Sequence, residues 1–326
     1  MPFNKLPFFE LRIMVEKTYN RPFFKVKKLS LSPLHVAAAN GKLNVYQYFL
    51  GKTLYVNTRN YMGITPLHLA AANGRLNVCE YILGLIENKF PVEILSGFSP
   101  LHVAALMGHL DVCKYIMDNT EEECPRDKEG KHPLHWAALK GHLDLCKYMI
   151  TKMKNKSPKC NMGFTPLHWA AYYGQLEVCK YIMENSDEKF PTDNHGGTPL
   201  HSAAIMGHLD VYKYLMTAME DKNPEDNSTA TPLHFAASIG HLEMCKHIME
   251  NVYSKSPRSN TGKTPLHCAS FYGQFNVCKY ILENVQEINP TDNNGVTPLD
   301  IAHERKDFKV FELISQHIEK AVLKNK

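Results

Sequence analysis

"TPLHWAAYYGQLEVCKYIMEN", residues 165–185, holds most of what decides the fold. Thr165 is a suitable helix N-cap, and Pro166 costs nothing at the first helical position because that N–H has no helical partner. Leu167, Trp169 and Ala170 are spaced for a buried face. Gly174 ends the helix where a positive φ carries no Cβ penalty. "LEVCKYIM" (176–183) gives a second helix with Leu176, Val178, Cys179, Ile182 and Met183 on its apolar side. Pro191 blocks its continuation, and "DNHGG" (193–197) turns the chain into the next cap. One such helix pair cannot bury its own apolar face, whereas stacked copies can.

The copies are present. The four-residue phrase recurs with its Pro at 33, 66, 100, 133, 166, 199, 232, 265 and 298, in seven steps of 33 residues and one of 34. A second phrase follows at a fixed distance, from "GKLNVYQYFL" (41–50) to "GQFNVCKYIL" (273–282). The ninth copy departs from it as "TPLDIAHERKDFKVFELI" (297–314). Repeat boundaries fall at 27–59, 60–93, 94–126, 127–159, 160–192, 193–225, 226–258, 259–291 and 292–324. Residues 1–26 remain as an N-terminal capping segment, in which 8–18 ("FFELRIMVEKT") read as an amphipathic helix able to cover the first repeat. In the last repeat Asp300 replaces His, Lys306 replaces Gly, and charged residues accumulate, as an outer face in water requires.

The unit resembles the ankyrin repeat, whose pattern includes T-P-L-H-x-A-A-x-x-G-H-x-E-V-V, and the resemblance covers about residues 27–324. It implies an all-α solenoid of stacked helix pairs joined by short hairpin-like loops. It also implies a protein that works as an adaptor, inhibitor or tether. The usual G-A-D-V-N connector is replaced by phrases such as "ENSDEKFPTDN" (184–194), and only "TLYVNTRN" (53–60) comes near it.

Composition sets outer limits. The 326 residues carry a net charge of +4, with 44 % hydrophobic and 21 % charged residues. That charge gives no strong push toward nucleic acid. No apolar run reaches the ~18 residues that span a bilayer, and Lys5, Glu10 and Arg12 interrupt the start where a signal peptide needs an apolar core. A cytoplasmic protein is expected, with the nucleus an open alternative.

Subtracting the repeat leaves little for catalysis. Of 18 glycines, seven sit in hairpin turns and eight between helices, so no phosphate-cradling loop can be assembled. Eight of 17 histidines belong to the P-L-H phrase and four follow the inter-helix glycine, where hydrogen bonds that hold turns explain them. Cys79, Cys113, Cys146, Cys179, Cys245 and Cys278 share one repeat position. They are expected to be small buried hydrophobes, in a reducing compartment. Any redox role falls to Cys124, Cys160 or Cys268. No enzyme activity, cofactor, metal or small-molecule substrate is expected.

Two features are left over. Lys114, Lys147, Lys180, Lys213, Lys246 and Lys279 form a convex column. Four of them have an acid four residues on (Asp118, Glu184, Glu250, Glu283), at a spacing that pairs on a helix. The second feature lies just before the inter-helix glycine. Repeats 3 to 8 place there Leu106–Met107, Leu139–Lys140, Tyr172–Tyr173, Ile205–Met206, Ser238–Ile239 and Phe271–Tyr272. Ankyrin resemblance puts these positions on the concave groove. The first member of each pair has a second explanation, packing against the neighbouring helix. The expected protein-binding set is Leu106, Met107, Leu139, Tyr172, Tyr173, Ile205, Met206, Ile239, Phe271 and Tyr272, taking an unidentified protein or peptide. The alternatives are a polyanion or anionic membrane surface read by the lysine column, and self-association through the strip.

Overall fold

The computed structural model describes residues 31–53, 55–120, 125–186, 188–219 and 221–324. The expected helix over 8–18 and Cys124 lie outside them. The chain divides into two compact units, residues 1–133 and 134–326. In the first, the helices are α1 (Pro33–Ala39), α2 (Leu43–Leu50), α3 (Pro66–Ala72), α4 (Leu76–Leu85), α5 (Pro100–Met107) and α6 (Leu110–Asp118). In the second they are α7 (Pro133–Lys140), α8 (Leu143–Lys152), α9 (Pro166–Tyr172), α10 (Leu176–Asn185), α11 (Pro199–Met206), α12 (Leu209–Ala218), α13 (Pro232–Ile239), α14 (Leu242–Asn251), α15 (Pro265–Phe271), α16 (Phe275–Asn284), α17 (Pro298–Glu304) and α18 (Phe308–Lys324). Each unit is a stack of antiparallel helix pairs, all-α as the repeat requires. The connectors are hydrogen-bonded turns, with no strand among the described residues.

The P-L-H histidine ties each layer to the next. In α3, His68 Nδ1 accepts from the backbone N–H of Thr65 at 3.2 Å, while its Nε2–H donates to the Phe98 carbonyl at 2.9 Å. His102, His168, His201 and His267 repeat this bridge, each ending on a carbonyl 29 residues on, at 3.0–3.1 Å. Only the neutral Nε2–H tautomer satisfies both bonds, because a backbone N–H cannot accept and a carbonyl cannot donate. Burial of these rings agrees. It pushes His68, His102, His168 and His234 down to about 4, against the opposing pull of the carbonyl each one binds.

A second tie runs backward. His109 Nε2 reaches the Ala72 carbonyl and His241 Nε2 the Ile205 carbonyl, both at 3.0 Å, and Gln274 serves Ser238 likewise at 3.1 Å. These are C-terminal carbonyls of the preceding repeat's first helix, which have no intrahelical donor. The ring lies over the inter-helix glycine. At Gly207 (φ 74°) a Cβ would stand 2.7 Å from His241 Nδ1, so both conformation and space demand glycine there.

The core lies between the helix layers. The six column cysteines are fully buried, with Tyr46 and Tyr212 in the same column. All eight described cysteines are free thiols. Burial raises the Cys79, Cys146, Cys245 and Cys278 thiols to about 12, so they stay protonated. At the turn tips, Asn194, Asn227 and Asn293 donate side-chain bonds to the carbonyls of Asn161, Asn194 and Asn260 at 2.9–3.3 Å, an asparagine ladder through the second unit. In repeat 7 the usual tip glycine is Thr229, held at φ 54° with its hydroxyl directed at the Arg258 carbonyl.

Candidate functional site

The first helix of each repeat is only seven or eight residues long, so its last two side chains stand at the edge of the layer. Successive residues on a helix point about 100° apart. One member of each pair therefore meets the adjacent layer while the other looks outward.

In the second unit the division is sharp. Leu139, Tyr172 and Ile205 are 3 %, 2 % and 5 % exposed. These three expected binding residues have too little surface to touch a partner; they pack between layers, the second explanation the sequence offered for them. Tyr173, Met206, Ile239 and Tyr272 are half-buried and lie at the surface, as does Phe271 among the first members. In the first unit Leu106 is half-buried and Met107 is 47 % exposed.

The aromatic pairs are held in place by their neighbours. The helices of repeats 5 and 8 stop one residue early, so Tyr173 (φ −102°) and Tyr272 (φ −100°) become their C-caps. Tyr173 stacks on Trp169 with ring centres 6.2 Å apart and planes at 17°, and meets Tyr172 edge-on at 5.2 Å. Tyr272 meets Phe271 edge-on at 5.0 Å, and the Arg305 guanidinium lies 4.6 Å from the centre of the Phe271 ring. Such contacts order large side chains before any partner arrives, which lowers the entropic cost of binding. Burial also raises the Tyr272 phenol above its ordinary range, so it remains neutral.

The same position in repeats 1 and 2 is used differently. Asn40 and Asn73 fold back, each Nδ2 donating to a carbonyl of its own helix (Val36 and Leu69) at 2.8 Å. There the side chain finishes the helix and offers no apolar surface.

At the same position Lys140 and Arg305 bound the apolar residues within the second unit. Both are exposed. Partial desolvation lowers the Lys140 ammonium from its ordinary value.

Three of the six convex lysines form ion pairs, and in none of the three is the partner an acid four residues on. Lys180 meets Glu177 and Lys246 meets Glu243, each at 2.7 Å, and Lys147 meets Asp144 at 3.7 Å. The acid stands three residues before the lysine rather than four after it. Lys147 and Lys246 also lie 6.0 Å from the ring centres of Tyr181 and Tyr280 in the next repeat. This face carries its own counter-charges.

Among the described residues, no group of three or more His, Cys, Asp or Glu is arranged to hold a metal ion. No described helix is long and apolar enough to cross a membrane. The family model for ankyrin repeats (three copies) matches residues 13–93, 34–127, 85–160, 101–193, 152–226 and 233–325, nearly the whole length. No curated protein matches the chain.

Proposed function

Because the chain belongs to the ankyrin repeat family, whose repeats are generally protein–protein interaction modules, we propose that it is a non-catalytic scaffold. Its second unit docks a partner protein or peptide on the strip formed by Tyr173, Met206, Ile239, Phe271 and Tyr272. The observation that carries this reading is the contrast within each pair: the first members in repeats 4 to 7 are consumed by packing, while the second members leave an apolar strip at the surface. Water-facing apolar strips on soluble proteins mark interaction sites. Tyr is enriched among interface anchors, and Met suits adaptable surfaces. The buried free thiols fit a reducing compartment such as the cytosol.

A paired pull-down tests this. One bait is the natural chain; the other carries Tyr173→Ser, Met206→Ser and Tyr272→Ser, with helicity checked by circular dichroism. A protein held by the first bait and lost by the second supports the groove. Identical captures would return the strip to packing and move attention to the turn tips. Convex-face binding is the weaker alternative, since Lys180 and Lys246 are already paired. Steeply salt-dependent retention on heparin would favour it.

A further inference from the structure

The connectors after α8 and α14 share a four-residue phrase, "KSPK" (156–159) and "KSPR" (255–258). Its proline belongs to the repeat, recurring in each connector from Pro91 to Pro290, and its first lysine recurs as Lys89, Lys189 and Lys222. The serine does not: Phe90, Phe190, Asn223 and Asn289 stand at that place elsewhere. Where Asn occupies it, the side chain has structural work. Asn57 and Asn289 accept from the backbone N–H groups of Leu67 and Leu299, at 3.2 and 3.3 Å. The Ser157 and Ser256 hydroxyls form no hydrogen bond among the described residues. We infer that these two serines are phosphate-acceptor sites for a proline-directed serine kinase, and that the phosphate opens a clamp between neighbouring connectors.

Both serines are half-buried in irregular backbone, and the cation that follows each proline, Lys159 or Arg258, is exposed. Proline holds the residue before it extended, the shape in which a substrate lies along a kinase cleft. It also brings no N–H that the cleft would have to satisfy. In the transfer, serine Oγ bonds to the γ-phosphorus of ATP as that phosphorus loses its bond to the β,γ-bridging oxygen. ADP leaves with the electron pair, and the hydroxyl proton passes to the kinase's catalytic aspartate.

The clamp is made by the cation two residues after each serine. Lys159 donates to the Thr192 carbonyl at 3.1 Å and stands 3.6 Å from the Glu188 carboxylate. Arg258 repeats both contacts one period on, with the Thr291 carbonyl at 2.7 Å and Glu287 at 2.9 Å. Arg59, in a connector without the phrase, reaches the Val92 carbonyl, and Asn88 stands in the place of the glutamate. A phosphoserine brings a charge of about −1.5 to −2 and three acceptor oxygens. From two residues away it draws the cation off Glu188 or Glu287, because a solvent-exposed pair is weakly held. The same connectors are joined by Asn194 N–H to the Met162 carbonyl and Asn293 N–H to the Thr261 carbonyl. Those amides report the loss of the clamp.

The test incubates the full chain with a purified proline-directed serine kinase and ATP, and locates the phosphate by tandem mass spectrometry. Ser157 and Ser256 should both be modified, and Ser157→Ala/Ser256→Ala should lose both modifications. Phosphate confined to other residues, or none at all, would overturn the assignment. Hydrogen exchange then reads the clamp. The Asn194 and Asn293 amides should exchange about two- to fivefold faster in the phosphorylated chain. The Ile94 amide, which makes the same bond to Met62 beyond Arg59, should not change. A second variant, Lys159→Gln/Arg258→Gln, should exchange faster at Asn194 and Asn293 without phosphate and gain nothing further from it. Circular dichroism confirms that both variants fold. Phosphate on both serines with unchanged exchange would overturn the clamp, as would equal acceleration in Lys159→Gln/Arg258→Gln.

Discussion

Repeats 1 to 8 and repeat 9 build the same two helices with different residues at two positions, and the difference shows what those residues do. Where another repeat follows, the first helix carries His at N3, and that ring both accepts from its own cap and donates to the next layer. In repeat 9, Asp300 fills the place: its carboxylate accepts from Thr297 N–H at 2.9 Å and from the Thr297 hydroxyl at 2.6 Å. A carboxylate only accepts, so Asp300 caps its own helix and cannot donate to a carbonyl as the imidazole does. The junction glycine behaves alike. Under the His241 ring Gly207 is required, whereas at the matching place in repeat 9 Lys306 adopts φ 58° in spite of its side chain. Histidine and glycine thus serve the neighbour more than their own repeat.

The largest expected test of this comparison is pH. The buried imidazoles titrate near 4 when folded, below the ordinary 6.5 they regain on unfolding. As pH falls, the unfolded chain takes up protons first. The stabilisation is therefore complete above about 6.5 and is lost progressively down to about 4. Each of the four groups costs up to about 3 kcal/mol at the bottom of that window. Hydrogen exchange read repeat by repeat at pH 5 should show the His-bearing repeats losing protection first. The Asp300 cap, whose carboxyl is held below its ordinary range by Thr297, should persist to lower pH. Uniform protection down to pH 4 would break the comparison.

A backbone test comes next. Gly207→Ala should cost about 2–3 kcal/mol in urea unfolding, combining left-handed strain with displacement of His241. Truncating the bridge itself is expected to cost somewhat less. His168→Ala should lose about 2 kcal/mol, because it leaves the Gly197 carbonyl and the Thr165 N–H without their partner. Asp300→Ala removes only an exposed cap and should cost about 1 kcal/mol. The smallest effect has the opposite sign: Lys306→Gly should stabilise by about 0.5–1 kcal/mol by relieving positive φ. A Lys306→Gly variant less stable than the natural chain would mean that the side chain has a role beyond tolerance.

Much of this was legible in the sequence because the repeat states each rule eight times. The period, the caps, the buried thiol column and the turn-holding histidines follow from spacing and residue type. The pairs before the glycine separated only as an alternative, packing for the first members, since adjacent positions at a helix end differ only by rotation about its axis. Tyr172 and Tyr173 both stood in the expected binding set, yet one is buried between layers and the other stacks on Trp169 at the surface. The asparagines of repeats 1 and 2 carried an available signal: Asn is a side chain that bonds local backbone, and both finish their own helices. The convex lysines illustrate a different limit. Acids stood both before and after Lys180, and only side-chain geometry chooses Glu177.

The imidazole bridges have a mechanical consequence. Each spans 29 residues and couples only adjacent layers, so a pull on the C-terminal end of the second unit loads them in series. Repeat 9, where Asp300 replaces the bridging histidine, should detach first. Each later rupture would then release one period of 33 residues, about 110 Å of slack chain at full extension. Stretched between two handles, the unit should give a sawtooth of nearly equal teeth, a ruler whose divisions are set by one histidine per repeat.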